Sequence, residues 1–311
     1  MKKCLIVDKM HPSIVPLLAE IGYQADYQPD ISRAEVLEQI SGYQGLIVRS
    51  KLKIDSELIA QAASLKFVAR AGAGLDQLDK EALLQNGISI LNAPEGNRDA
   101  VGEHTLGILL NLLNNISRAD QQIRHSVWDR EGNRGVELMG KTVGIIGYGN
   151  MGQAFARRLS GFGVTVLAYD KYRTDYSDAF AEEATMEEIF RQAEIISFHV
   201  PLTRETQFLI DKLYLSKFNQ DVYLLNTARG KIISLATLVE GLASGKIRGA
   251  ALDVLENEKL QQLTPHQQAA FDQLCQSDRV LFTPHVAGWT YESYEKINQT
   301  LVEKIKALEL D

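Results

Sequence analysis

Three polar residues follow apolar, strand-like runs in the second half of the chain. They are Arg229 after "YLLNTA", Glu258 a little beyond "GAALDV", and His285 at the end of "VLFTPH". In an open α/β sheet ligands gather at the carboxyl ends of the strands, so side chains at such positions can converge on one molecule. Histidine exchanges protons near neutrality. A carboxylate hydrogen-bonded to the ring orients it and favours the imidazolium. An arginine grips a substrate carboxylate through two parallel hydrogen bonds and polarises the carbonyl beside it. Together they suit hydride transfer to a ketone, in which charge develops on oxygen and must be protonated. Taken singly, His285 also reads as a helix-entry residue, Glu258 as a solvated loop acid and Arg229 as a tie to backbone carbonyls.

A hydride carrier has a place upstream. The stretch "VGIIGYGNMGQAFARRL" sets Gly147, Gly149 and Gly152 as G-x-G-x-x-G between an apolar strand and a helix, and Asp170 closes the next strand. Gly147 permits the tight turn, Gly149 lets a pyrophosphate reach the backbone, and Gly152 lets helix and strand pack closely. The helix N-terminus then offers free N–H groups to the phosphates. Asp170 suits an adenosine ribose diol and repels a 2′-phosphate, which selects NAD over NADP, although Lys171 and Arg173 beside it pull the other way.

These residues need parallel strands to position them. "CLIVD" (4–8), "GLIVRS" (45–50), "LKFVARAG" (65–72) and "ISILNAP" (88–94) read as strands, with helices at about 12–21, 32–41, 55–63 and 79–86. A long helix over about 98–120 is apolar nearly all round and so is buried or lies in an interface. Six further strands are predicted at 143–149, 164–170, 195–200, 223–228, 249–254 and 280–285. The last helix, about 290–308, carries Tyr294, Ile297, Leu301, Ile305 and Leu308 at helical spacing and can return to the first unit. The expected fold class is α/β, with two doubly wound parallel-sheet (Rossmann-like) domains and a cleft between them. Residues 1–96 and 289–311 form a discontinuous substrate-binding domain, and residues 97–288 the NAD-binding domain.

With 311 residues, 45% of them hydrophobic, each unit can build a core. A net charge of −7 gives no general attraction to nucleic acid or to an anionic membrane. No apolar run approaches the ~20 residues of a membrane span, and the short N-terminal run broken by Asp8 is not a signal peptide. Cys4 and Cys275 make neither a disulfide framework nor a metal-ligand spacing, so no metal is expected and a reducing cytoplasm is.

"GIIGYGNMG", "HVPLT", "NTARG", "ALDVLENE" and "TPHVAG", in this order, resemble the D-isomer-specific 2-hydroxyacid dehydrogenases. The likeness extends to "LIVRS", "ARAGAGLD" and "NAPEGN", and so covers essentially the whole chain. The resemblance implies that Arg229, Glu258 and His285 are the catalytic triad. It also implies that Asn150 and Met151 meet the pyrophosphate, that Val200, Thr227, Ala228 and Gly288 line the cofactor, and that Asp253 stands at the carboxamide. A homodimer is implied, paired through the helix at about 98–120 and the loop to Lys141.

Within the family, "LIVRSKLKI" and "VARAGAGLDQLD" are most similar to the D-3-phosphoglycerate dehydrogenases, in a short form without the regulatory domain of longer relatives. Arg49 and Arg70 at strand ends are expected to neutralise a substrate phosphate, Ser50 to add a hydrogen bond, and the Ala73 and Gly74 amides to take the carboxylate. The resemblance points to Arg130, with Arg134 as substitute, as the arginine that reaches a neighbouring subunit's substrate. Ala73, Gly288, Trp289 and the long segment from Lys259 to Asp278 depart from that pattern, and Trp289 is expected to narrow the pocket. The alternatives are a broad reductase of hydroxypyruvate, glyoxylate or D-lactate-like acids, and an NAD-sensing corepressor on the same scaffold. Glu258 speaks against a formate dehydrogenase.

Overall fold

The computed structural model describes residues 2–309. The chain divides into two compact units, one holding the chain through Arg98 together with the segment from Trp289, the other Asp99–Gly288.

In the first unit β1 (Lys2–Ile6), β2 (Tyr23–Tyr27), β3 (Gly45–Val48), β4 (Phe67–Arg70) and β5 (Ser89–Asn92) form a sheet of order β2-β1-β3-β4-β5, parallel throughout. Helices with side-chain caps punctuate it. Ser32 and Glu35 make a capping box for Arg33–Gln39, and Asp55 and Asp79 cap the next two. β2 is absent from the sequence-based strands. It is an edge strand, "YQADY", in which only Tyr23 is buried, so it lacks the continuous apolar run that marks a strand covered on both faces.

The helix Tyr291–Lys306 completes this unit. Ile297, Leu301, Val302 and Ile305 share a core with Cys4, Ile6, Ile14 and Leu18. Lys304 Nζ reaches Asn92 O at 2.9 Å and Glu95 Oε2 at 2.8 Å, and Asn298 Nδ2 donates to His11 O at 3.0 Å. A Cβ on Gly96 would lie 2.7 Å from the Ile297 backbone, so only glycine allows this approach.

In the second unit β6 (Thr142–Ile146), β7 (Thr165–Tyr169), β8 (Glu182–Glu183), β9 (Ile195–Phe198), β10 (Val222–Asn226), β11 (Ile247–Leu252) and β12 (Val280–Phe282) run in the order β12-β11-β10-β9-β6-β7-β8, again parallel. The strand order reverses between β9 and β6, the switch point at which such sheets receive nucleotides. β8 was not legible in the sequence because it is two exposed glutamates at a sheet edge. The expected long helix is two, Pro94–Asn114 and Ile116–Arg124, broken where Asn115 takes a left-handed φ of 55°. Asparagine tolerates that conformation better than most residues. Ile108, Leu109 and Leu113 of the first of these helices are buried against β6 and β7 residues. Among the described residues no helix is long and apolar enough to cross a membrane.

Leu301 is fully buried in the first unit. Leu301→Ala should lower stability by about 2–5 kcal/mol, measured by chemical denaturation. An unchanged midpoint would show that the last helix is not part of that core.

Candidate active site

The second unit's sheet ends in a glycine turn that its own backbone shapes. Gly147 has φ +94°, and a Cβ there would stand 2.6 Å from His199 O and 2.9 Å from Val200 Cγ1. A Cβ on Gly152 would lie 2.1 Å from Gly147 O. Gly149 differs, because its φ is −85° and a Cβ would meet nothing within 4 Å. The fold therefore demands glycine at 147 and 152, while at 149 it leaves open space.

Gly149 is also the N-cap of the helix Asn150–Leu159, and no side chain caps it, in contrast to the helices opened by Ser32, Thr185 and Ser234. The first turn of a helix, here Asn150, Met151 and Gly152, has amides without intrahelical acceptors. Asp170 stands beside this turn, its carboxylate accepting from Tyr148 N at 2.9 Å and Tyr172 N at 3.0 Å.

Beyond β10, the buried Asn226 staples the next turn. Its Oδ1 accepts from Ala228 N at 3.0 Å and its Nδ2 donates to Arg229 O at 2.9 Å. Arg229 Nη1 donates to Ala228 O at 2.7 Å, and Thr227 Oγ1 lies 3.1 Å from Thr105 Oγ1. Glycine is required at 230, where a Cβ would fall 1.8 Å from Leu255 O.

β11 leads to Asp253, which is 1% exposed. Its carboxylate accepts from Thr283 Oγ1 at 2.6 Å, Val286 N at 2.9 Å and Ala287 N at 2.8 Å, while its carbonyl accepts from His285 N at 2.7 Å. His104 Nε2 lies 3.0 Å from Thr283 Oγ1 behind it. His285 itself holds a left-handed φ of 56°, which a non-glycine residue keeps only when its surroundings determine it.

His285 Nδ1 donates to Glu258, 2.9 Å from Oε1 and 3.1 Å from Oε2. Both side chains are about half exposed, at 52% and 48%. This bond occupies Nδ1 and leaves Nε2 for a reacting oxygen. The Glu258 hydrogen bond raises the His285 pKa above the ordinary imidazole range, aided by the Glu258 and Asp253 charges, while desolvation and the Arg229 charge oppose it. His199 behaves oppositely: burial pushes it down to about 3, so it stays neutral beside Ser197 Oγ at 2.8 Å.

Residues 106–287 match the model of the NAD binding domain of the D-isomer specific 2-hydroxyacid dehydrogenases. The chain belongs to that family. It is 34% identical over 309 residues to a D-3-phosphoglycerate dehydrogenase of Methanocaldococcus jannaschii, matching 98% of this chain and 57% of that protein. It is 35% identical to a hydroxypyruvate reductase of Thermotoga maritima, with 88% of each chain covered. A D-lactate dehydrogenase of Aquifex aeolicus, solved with NAD and lactic acid, superposes with a TM-score of 0.81 at 25% identity over 99% of this chain and 95% of the other. The chain thus spans a little over half the length of the phosphoglycerate relative.

The family's dinucleotide suits these residues. Open space at Gly149, an uncapped helix N-terminus and an acid at the end of β7 are what a pyrophosphate and a ribose diol require. The structure brings Gly147, Val200 and Asp170 together at this turn. It brings Glu258, His285 and Asp253 together across the ends of β11 and β12, with the Arg229 charge near enough to be felt at His285. Gly288 closes the segment that Asp253 holds. Asn226, Thr283 and His104 were missed in the sequence, since nothing in their spacing says that they brace a turn.

In the first unit Arg49 follows β3, its amide donating to Asp8 Oδ2 at 2.6 Å. Its guanidinium lies 4.0 Å from the Trp289 ring centroid and 5.6 Å from that of Tyr294. Desolvation there lowers its pKa, against the opposing influence of Tyr294 and Asp8. Arg70 Nε donates to Arg49 O at 3.2 Å, and Gly72, with φ +134°, leaves room for the Arg70 guanidinium. Asn92 Nδ2 donates to Ala73 O at 2.7 Å, anchoring the loop that carries Gly74, and Ser50 is exposed beside Arg49. In the second unit Arg130 is exposed, whereas Arg134 Nη2 is paired with Glu131 at 2.7 Å.

The glycines separate ligand binding from folding. Gly149→Ala should keep stability within about 1 kcal/mol yet weaken NADH binding, whereas Gly152→Ala should destabilise by about 1–3 kcal/mol or more through overlap with Gly147 O. Thermal unfolding and NADH fluorescence titration of both variants decide this. Equal NADH affinity in Gly149→Ala would show that no ligand approaches that backbone.

Proposed function

We propose that the chain is an NAD-dependent D-2-hydroxyacid dehydrogenase that oxidises D-3-phosphoglycerate to 3-phosphohydroxypyruvate, the entry to serine biosynthesis. The observation that carries the activity is the His285–Glu258 pair, with Nδ1 engaged and Nε2 left over, beside the Arg229 charge. Gly147, Gly149, Asn150, Met151, Gly152 and Asp170 would hold the cofactor, with Val200, Thr227, Ala228, Asp253 and Gly288 toward its nicotinamide end. Bound NADH would supply the hydride for the reductive direction. His285 Nε2 gives its proton to the oxygen of the ketone as the alcohol forms, and takes it back in the oxidation. Arg229 holds the substrate carboxylate through paired hydrogen bonds, and Glu258 keeps the imidazolium oriented and populated.

In this reading the second unit is the cofactor domain and the first is the discontinuous substrate domain. Arg49, Ser50 and Arg70 receive the phosphate, and the Ala73 and Gly74 amides the carboxylate. Arg49 and Arg70 stand at the ends of the neighbouring strands β3 and β4, with Arg70 Nε donating to Arg49 O, which supports a site for an anion with more than one charge. A second copy of the chain covers Ile116, Ile123, Trp128 and Met139, which are at least half exposed, and Arg130 reaches its substrate. The free Cys4 and Cys275 fit a reducing cytoplasm. A broader 2-ketoacid reductase is the second reading, favoured by Trp289 lying over Arg49 and by the relative that acts on hydroxypyruvate and matches over 88% of both chains.

Absorbance of NADH with 3-phosphohydroxypyruvate, hydroxypyruvate, glyoxylate and pyruvate tests the assignment. The phosphorylated acid should be preferred, Arg49→Ala should cut its kcat/KM roughly 10- to 100-fold while sparing the others, and His285→Ala should cut turnover on all by roughly 10²–10⁴. Equal use of the unphosphorylated acids would select the second reading. Turnover of none, with NADH still bound, would leave a nucleotide-sensing protein of the corepressor kind.

The His285 shift sets a sign for pH dependence. Its pKa is raised, so the proton donor for reduction is fully present below the usual imidazole value and is lost only as pH rises through the higher one. Oxidation, which needs neutral His285, gains over the same interval. Glu258→Gln removes the largest cause of the shift, so the falling limb of the reduction profile should move to lower pH. A limb that stays in place would assign that titration to another group.

A further inference from the structure

Asp170 is flanked by two cations that bear on which dinucleotide binds, and both are engaged. Lys171 Nζ is bound to Glu205 Oε2, and that hydrogen bond holds the lysine pKa above its ordinary range. Arg173 Nη1 donates to Tyr148 O, and its guanidinium lies 5.7 Å from the Tyr176 ring centroid. Glu205 is presented by an ordered turn after β9. Thr203 N donates to Thr206 Oγ1 at 2.8 Å, Thr206 Oγ1 to Pro201 O at 2.7 Å, and Gln207 N to Thr203 O at 2.9 Å. This turn follows His199 and Val200, which touch Gly147, so Glu205 and the glycine turn lie at the same carboxyl edge of the sheet.

A dinucleotide phosphorylated at the ribose 2′-oxygen needs a cation beside the acid that ends the second strand of such a fold. We propose that Glu205 is a specificity-determining residue of this protein, selecting NAD over NADP by pairing with Lys171 and so withholding that cation from a 2′-phosphate. A 2′-phosphate would have to break that pair and then face the carboxylates of Asp170 and Glu205 together. A free ribose diol has no charge to place there and needs only Asp170. The inference rests on the dinucleotide reading of the site and is independent of which hydroxy acid is the substrate.

The test is titration of the purified protein with NADPH and, separately, NADH, followed by nicotinamide fluorescence, so no turnover is needed. Glu205→Gln should tighten NADPH about fivefold, the upper range for release of an exposed ion-pair partner, and the gain should shrink as salt is raised. NADH is the reference arm and should change little. In a Lys171→Gln background the Glu205→Gln gain should shrink to what relief of the Glu205 repulsion alone supplies, since the larger part acts through the lysine. NADPH affinity unchanged by Glu205→Gln, in a protein that binds NADH, overturns the proposal alone. So does a gain of equal size with and without Lys171. A wild-type protein that binds neither dinucleotide overturns the cofactor reading, and the inference with it.

Discussion

Asp253 places a carboxylate at the end of β11 with 1% exposure, and hydrogen bonds from Thr283, Val286 and Ala287 surround it. A buried carboxylate is costly unless it is fully hydrogen-bonded. Its three hydrogen-bond donors lie on the segment that bears His285, with His104 Nε2 3.6 Å from Oδ1, so satisfying the carboxylate also shapes that segment. The left-handed backbone of His285 follows from it, since Asp253 O takes the His285 amide while the carboxylate takes the next two. Glu258 then finds Nδ1, and Nε2 is left over. The family likeness suggested Asp253 for a cofactor contact; its hydrogen bonds show that it braces the segment that carries His285.

Much of the remaining chemistry is arranged by backbone rather than by side chains. Gly147, Gly152 and Gly230 stand where a Cβ would strike a carbonyl oxygen of the same fold, and Gly149 where it would strike nothing. The first three are explained by packing alone. The last, with an uncapped helix N-terminus beside it, leaves the backbone open to approach from outside. In the first unit Gly72 serves packing again, clearing space for the Arg70 guanidinium.

Charge is held as carefully as shape. Each of the two cations that follow Asp170 has a partner, Lys171 in Glu205 and Arg173 in a carbonyl and a ring. In the first unit the Arg49 guanidinium rests on Trp289, an arrangement that keeps the charge while restricting its orientation. The same ring covers one face of the guanidinium.

By itself the sequence determined the parallel α/β class, the strand ends that carry Arg229, Glu258 and His285, and the glycine turn with its acid, because these are local patterns of apolar runs and the residues that stop them. It did not show β2 or β8, which lie at sheet edges and lack the apolar run of a covered strand, nor the break at Asn115, where one backbone angle divides a continuous helical pattern. Only the tertiary structure decided that His285 is left-handed, that Asn226 and Thr283 brace the turns that carry Arg229 and His285, and that Lys171 belongs to Glu205. Each of these depends on groups separated in sequence and brought together by strand order, and spacing along a chain does not encode which donor a buried acceptor will meet.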